Sequence, residues 1–236
     1  RAMDIADAFY NQHSLAWISP VGITAPQPMS NHGIDWLRTF GGGLLATCGL
    51  DHVGGPEADE TGDRGVHGQI GNLPAEIVSI VQPDLRSGSL DMSITGIIRQ
   101  HTIFGPCLTL KRTISGRLGE AALQIHDEVI NEGNTAAPLM LLYHFNFGWP
   151  LVDEGTDIVW KGTHRVASDP QLLGVKDIKK CPQPLELHQG SGESVIYIDP
   201  EADAEHKVHC GLWNKERDLG LRITFDKREL PCLTNW

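Results

Sequence analysis

The sequence predicts an all-β protein made of antiparallel sheets. Twenty-six glycines and fourteen prolines in 236 residues interrupt the chain so often that few windows could hold a helix of about 12 residues. Between these breakers, apolar residues recur at every second position, which is the period of a half-buried strand. Turn signals follow at intervals of about 10 to 20 residues, a spacing typical of antiparallel meanders in a large sandwich or barrel.

Each predicted strand rests on the same alternation, because neighbouring side chains of a strand point to opposite faces of the sheet. The first, residues 44–48, follows glycines 41–43, where a tight turn is favoured over a phosphate-binding loop because no Gly-Lys-Ser or Gly-Lys-Thr follows. Turns are predicted at residues 86–88, 115–116, 131–134 and 226–227. The later strands are indicated by Leu90, Met92 and Ile94, by Leu108 and Leu110, by Leu123, Ile125 and Val129, by Leu142 and His144, by Val195 and Tyr197, and by Leu221, Ile223 and Phe225.

The chain is predicted to form one domain over residues 1–236. The one shift in composition is the polar, glycine-rich segment 54–65, which is expected to be a surface loop because strand-like sequence continues on both sides of it. The start at Arg1, and the stop at Trp236 within an apolar run, indicate a domain trimmed at both ends.

Charge and cysteine content narrow the expected partners. Lys and Arg number 19 against 30 Asp and Glu, a formal net charge of −11, and no basic stripe is present, so neither nucleic acid nor an anionic membrane surface is an expected partner. Five cysteines, an odd number without Cys-x-x-Cys spacing, favour reduced thiols and a cytoplasmic protein. No apolar stretch approaches the roughly 18 residues that a membrane-spanning helix needs.

Two histidine segments are the strongest candidates for a functional site. His67 lies among glycines, which let a backbone approach a ligand closely; a turn histidine bonded to local backbone is the alternative. On a strand, Leu142, His144 and Asn146 share one face, and the aromatic residues at 143, 145 and 147 share the other. A buried imidazole needs a partner, so His144 either lies at a pocket or is satisfied by neighbouring backbone.

A third histidine pattern, His206 and His209, is less informative. On a strand, residues three apart point to opposite faces, which favours solvated surface histidines over a metal site. Because the histidines are scattered along the chain, a metal-dependent enzyme that uses several of the eleven histidines is the least favoured alternative.

Five segments together resemble the aldose 1-epimerase (galactose mutarotase-like) superfamily, and most closely its branch of uncharacterised bacterial proteins with a domain of unknown function. The resemblance spans nearly the whole chain, and it is specific as a set although each segment alone is weak. The segments are residues 1–5 (RAMDI), 35–51 (DWLRTFGGG running into TCGLD), 67–72 (HGQIGN), 142–150 (LYHFNFGWP) and 230–236 (LPCLTNW).

Mutarotases are similar at His67-Gly68 and at the segment that begins with His144. The resemblance implies a β-supersandwich of large antiparallel sheets with a cleft on one face. It also implies that His144 is the general acid of sugar ring opening and that His67 is the second catalytic residue, which helps to bind the ring. A histidine with its ordinary pKa of about 6.5 suits this proton transfer. Neither a metal nor an organic cofactor is expected.

The chain departs from mutarotases at two points. Their glutamate base lies near the C-terminus, and no segment before Trp236 resembles that motif; neither Glu216 nor Glu229 is assigned the role. Their arginine ahead of the first histidine is also missing from residues 44–50. Arg38 is a candidate for that hydroxyl-binding role, with a surface ion pair as the alternative.

The expected partner is a small-molecule sugar, and further side chains are predicted to bind it. Asp51 and His52 have turn capping as an alternative role, and Trp236 has core packing. A non-catalytic sugar-binding or sensing module on the same fold is the alternative function. The predicted substrate-binding residues are Arg38, Asp51, His52, Asn72, Asn146, Asp199 and Trp236.

Overall fold

The structure, a computed structural model, describes residues 1–60, 62–166, 177–183 and 195–236. The chain divides into two compact units, Arg1–Phe147 and Gly148–Trp236. In the described residues, strands dominate and the only helical elements are two short 3₁₀ turns, Asp35–Arg38 and Ile70–Asn72. The pairings between named strands are antiparallel, so the all-β prediction is confirmed.

The first unit holds a four-stranded sheet in the order β6-β7-β8-β9 and, apart from it, the pair β3-β10, which we call the ribbon. Ile98, Leu108 and Leu110 of the sheet are buried together with Leu50 of the ribbon and with Ile70. The strands are β1 Phe9–Tyr10, β2 His13–Ser14, β3 Leu45–Leu50, β4 Glu57–Asp59, β5 Gly62–Arg64, β6 Glu76–Val81, β7 Asp91–His101, β8 Cys107–Arg117, β9 Leu123–Asn131 and β10 Met140–Phe145.

Two local predictions differ from the structure. The turn predicted at residues 115–116 is wrong, because Ser115 lies inside β8 and pairs with Ser93 of β7 and Gln124 of β9. Pairing on both sides of a central strand outweighs the local turn preference of a Ser-Gly pair. The segment 54–65, expected to be a loop, contains the short hairpin β4-β5.

The second unit holds two three-stranded sheets, in the orders β11-β14-β15 and β12-β13-β16. Its core contains Trp160, Ile196, Ile198 and Cys210. Whether the two units make up a single domain stays a prediction. The strands are β11 Asp157–Val159, β12 Gly162–Val166, β13 Ile196–Pro200, β14 Lys207–Asn214, β15 Leu219–Asp226 and β16 Leu233–Asn235.

All five cysteines are free thiols. Neither of the 3₁₀ turns, nor any other helix in the described parts of the chain, has the length and apolar character to cross a membrane. The surface histidines expected near residue 206 are found there, since His206 lies in a turn and His209 is an exposed residue of β14.

Candidate functional site

His144 and His67 lie side by side in the first unit. His144 is on β10, opposite Ala46 of β3, so both side chains belong to one face of the ribbon. The ring centroids of His144 and His67 are 5.7 Å apart. The two segments singled out from the sequence are therefore brought together, although 76 residues separate them along the chain.

Two aromatic rings complete this group. Trp36 and Phe40 stack with centroids 4.2 Å apart and planes 22° apart. The edge of Trp36 meets His67 at 4.8 Å between centroids, and Phe40 meets His144 at 5.4 Å. We call these four rings the ring cluster. In it, Trp36 and Phe40 form a largely apolar surround for the two imidazoles.

Local backbone geometry explains why a glycine follows His67. His67 itself has a left-handed backbone with φ +58°, and Gly68 follows with φ +68°. A Cβ at position 68 would lie 2.5 Å from the carbonyl oxygen of Gly49 and 2.7 Å from that of His52. Only glycine allows this approach, which brings His67 beside β3.

The hydrogen bonds of His67 indicate its tautomer. The backbone N–H of Gly54 donates to Nδ1 of His67 at 3.3 Å, so the neutral ring carries its proton on Nε2. Burial, then the neighbouring His144 and His52, lower the pKa of His67 to about 4. His67 is thus a neutral hydrogen-bond donor at pH 7.

Asp51 and His52 hold the backbone at the end of β3. The side-chain amide of Gln100 donates to Asp51 at 2.6 Å, and its oxygen accepts from the backbone N–H of Leu50 at 3.1 Å. His52 is buried, with Nε2 2.7 Å from the carbonyl oxygen of Gly55. Their contacts fit the turn-capping alternative, and their substrate-binding roles stay predictions.

The remaining predicted residues of the first unit also make local protein contacts. Asn146 is buried and donates to the carbonyl oxygens of Gly43 and His144 at 2.9 and 3.1 Å, which fixes the chain just after β10. Asn72 exchanges hydrogen bonds with the backbone of Gln27. Arg38 has a side chain that is 83% exposed and pairs with Asp35 at 3.1 Å, as in the ion-pair alternative.

Asp199 and Trp236 belong to the second unit. Asp199 accepts a hydrogen bond from Nζ of Lys227 at 2.7 Å, and Trp236 follows β16 with half of its surface exposed. Their sugar-binding roles stay predictions, as do those of Arg38, Asn72 and Asn146.

The sequence did not single out Trp36 or Phe40, although both lie in a segment that carried the family resemblance. A cavity of ≈ 100 Å³ lies beside them, and Ala46 and Thr47 of β3 also line it. The available signal was two aromatic residues four apart just before a glycine run, in a segment too short to show a period.

The opposite face of the ribbon carries a buried group of charges that the sequence also did not predict. Nε and Nη2 of Arg112 donate to the carboxylate of Asp127 at 2.9 and 2.7 Å. Nη1 of Arg112 donates to Oγ1 of Thr47 at 2.7 Å and to Asp4 at 3.1 Å. The hydroxyl of Tyr143 donates to Asp127 at 2.8 Å. We call these five residues the Arg112 cluster.

The site offers imidazoles, amides and hydroxyl groups rather than a built metal centre. Across residues 1–60, 62–166, 177–183 and 195–236, no group of three or more His, Cys, Asp or Glu side chains is arranged to hold a metal ion. The chemistry that the ring cluster can perform directly is hydrogen bonding and proton transfer.

Comparisons with known proteins connect this geometry to a family. The family described as "Domain of unknown function (DUF4432)" matches residues 1–236. A crystal structure of a "putative aldose 1-epimerase" from Klebsiella pneumoniae subsp. pneumoniae MGH 78578 is similar, with a TM-score of 0.87 and 26% sequence identity over 99% of this chain. Together they confirm the resemblance and the mutarotase-like all-β fold predicted from the sequence. The chain spans 61% of the length of that structure's chain. No curated protein matches.

Proposed function

The chain belongs to the family described as domain of unknown function DUF4432, and on this premise we propose that it binds a free sugar and interconverts its α and β anomers as an aldose 1-epimerase. The observation that carries the proposal is the pairing of His67 and His144, with ring centroids 5.7 Å apart, in the ring cluster. The similar Klebsiella structure, described as that of a "putative aldose 1-epimerase", supports it. A cytoplasmic location is part of the proposal.

In the proposed reaction, the imidazolium of His144 gives its proton to the ring oxygen of the sugar. A base accepts the proton of the C1 hydroxyl, the bond between C1 and the ring oxygen breaks, and C1 becomes an aldehyde carbon. Rotation about the C1–C2 bond exposes the other face of C1, and the reverse proton transfers close the ring as the other anomer. No net proton is consumed, so His144 is ready for the next turnover.

His67 has a different part in this reaction. Because its Nδ1 accepts a hydrogen bond from Gly54 and its pKa is lowered to about 4, it keeps a proton on Nε2 at neutral pH. It therefore donates a hydrogen bond to a sugar oxygen and does not itself exchange the proton. Trp36 and Phe40 pack against the two imidazoles and limit their rotation.

The ring cluster contains no carboxylate that could act as the base, and no residue of this chain is assigned to that role. Glu216 and Glu229, which the sequence left unassigned, both belong to the second unit. The proposal thus names one half of the acid and base pair from the residues present.

Anomer exchange measured on the full-length protein tests the proposal. Freshly dissolved α-anomers of several aldoses are followed by polarimetry or exchange NMR, and catalysis is expected to exceed the buffer rate. His144→Ala is expected to lower the enzymatic rate by about 10² to 10⁴ because it removes the acid. His126→Ala is the matched control, since His126 is an exposed histidine of β9 with a side chain that is 66% exposed. The proposal fails if no aldose equilibrates faster than in buffer, or if His144→Ala keeps the full rate.

A non-catalytic sugar-binding module is the second candidate. One observation favours it: the ring cluster consists of two imidazoles and two aromatic rings, with no carboxylate that could act as the base. This candidate predicts saturable binding of a sugar in calorimetry without any anomer exchange.

A further inference from the structure

We propose that the Arg112 cluster positions His144 through the ribbon, from the face opposite to the ring cluster. This inference rests on the proposed role of His144. It makes Arg112 a positioning residue, because its guanidinium acts on His144 only through other residues.

The strand geometry gives the cluster direct access to the backbone around His144. Tyr143 immediately precedes His144, so its side chain points to the opposite face. Thr47 is the cross-strand partner of Tyr143, and it follows Ala46, the cross-strand partner of His144. Both ribbon strands are thus tied to the rest of the Arg112 cluster directly beside the His144–Ala46 pair, β10 at Tyr143 and β3 at Thr47.

Arg112 joins these two ties into one rigid unit. Its side chain is fully buried, and its planar guanidinium donates to Asp127, Asp4 and Thr47 and to the carbonyl oxygen of Ala2. A guanidinium holds its donors in a fixed fork, so a shift of one partner lengthens the bonds to the others. No other side chain could replace this set of contacts.

The position of the cluster between two sheets favours a positioning role over a purely stabilising one. Arg112 on β8 and Asp127 on β9 are cross-strand partners in the four-stranded sheet, whereas Thr47 and Tyr143 belong to the ribbon. The sheet and the ribbon are already joined by apolar packing, in which Ile98 and Leu110 lie with Leu50. Buried ionic groups add little net stability over apolar ones, and in some proteins they select one geometry instead.

Single hydroxyl deletions test the inference on the full-length protein. Thr47→Val removes one of the three acceptors of Nη1 of Arg112, and the hydroxyl that donates to Asp4, while keeping the shape of the side chain. Thr47→Ser restores the hydroxyl. Tyr143→Phe removes one oxygen atom and serves as a second test should Thr47→Val fail to fold. Thr113→Val is the matched control, because Thr113 follows Arg112 on β8 and its side chain lies on the opposite face of the sheet, where the change removes a hydrogen bond of 2.9 Å to Thr95.

The primary measurement is the ring ¹⁵N spectrum of His144, assigned by its absence in His144→Ala. We expect Thr47→Val and Tyr143→Phe to move the His144 signals, and Thr47→Ser and Thr113→Val to leave them in place. The same two deletions are expected to lower kcat for anomer exchange about tenfold with KM changed less than twofold, since misplacing a reacting group by a fraction of an ångström costs rate.

Two outcomes would overturn the inference: unmoved His144 signals in both deletions, or equal movement in the Thr113→Val control. The spectra need no substrate, so they decide the positioning role even if no aldose is turned over. Failure of the proposed function is read separately, from anomer exchange by the wild-type protein.

Discussion

The pKa values of buried groups shift in opposite directions on the two faces of the ribbon, because the neighbouring groups differ. On one face, burial and two neighbouring histidines lower the pKa of His67 to about 4, so the ring stays neutral. On the other face, burial acts to lower the pKa of Arg112, but its hydrogen bonds and charge interactions with Asp127 and Asp4 raise it overall. The neutral face is the one proposed to contact a ligand, whereas the charged face is satisfied by its own partners.

The largest expected effect follows from breaking the charged face. Arg112→Met leaves the carboxylates of Asp127 and Asp4 buried without their cation, and removing one partner of a buried ion pair costs about 3–5 kcal/mol. We expect the free energy of unfolding, measured in urea by tryptophan fluorescence, to fall by that amount.

The double variant Arg112→Met/Asp127→Leu separates lost charge balance from lost packing. Replacing a buried ion pair by apolar side chains of similar size is often close to neutral, so the part of the loss that comes from Asp127 is expected to be recovered, while Asp4 stays without its cation. A single variant that loses no more than about 1 kcal/mol would show that the charges are not mutually dependent.

The next largest effect is the pH dependence of the free energy of unfolding that His67 causes on the neutral face. The folded-state pKa of His67, about 4, lies below the ordinary value of 6.5. As the pH falls below 6.5, His67 binds a proton in the unfolded chain but not in the folded protein. The stability present above pH 6.5 is therefore lost progressively down to pH 4. The expected loss at this site is about 3 kcal/mol. Urea unfolding measured at several pH values in this window reports it.

His67→Asn is the variant that isolates this titration. Asparagine tolerates the left-handed backbone at position 67 and offers an oxygen to the N–H of Gly54, but it carries no titrating ring. Its stability is expected to depend less on pH between 6.5 and 4, while His126→Asn at an exposed site keeps the wild-type dependence. Identical pH dependence in wild type and His67→Asn would contradict the lowered pKa.

The sequence predicted the neutral face better than the charged face. Alternation located β7, β8 and β9 without marking Arg112 or Asp127 on them, whereas the family resemblance singled out His67 and His144. Their convergence depends on β3 passing between the two segments, and no local pattern contains that information. Trp36 lies in a single 3₁₀ turn and Phe40 lies two residues after it, so the segment is too short to display a period that would mark them.

Arg112 shows why the charged face could not be predicted. In the sequence it stands beside Lys111, a partly exposed residue of β8, and nothing local distinguishes the two. Its burial follows from the β8-β9 register, which places it opposite Asp127. A turn at residues 115–116, as wrongly predicted, would end the strand there and change the register that pairs Arg112 with Asp127. Even a one-residue slip in register moves every side chain to the other face of the sheet.

The smallest expected effect concerns the packing of the ring cluster. Phe40→Leu replaces a ring stacked on Trp36 by an aliphatic side chain, and such aromatic pairs contribute about 0.5–1.5 kcal/mol beyond the area they bury. We expect the free energy of unfolding to fall by about 1 kcal/mol. Leu37→Ala, at an exposed position of the 3₁₀ turn that carries Trp36, is the control and is expected to change the free energy of unfolding by less than about 0.5 kcal/mol. Replacing one apolar ring removes only the contacts of that ring, whereas removing one charge of the Arg112 cluster leaves the remaining charges uncompensated. If Phe40→Leu costs as much as Arg112→Met, the two faces do not differ in this way.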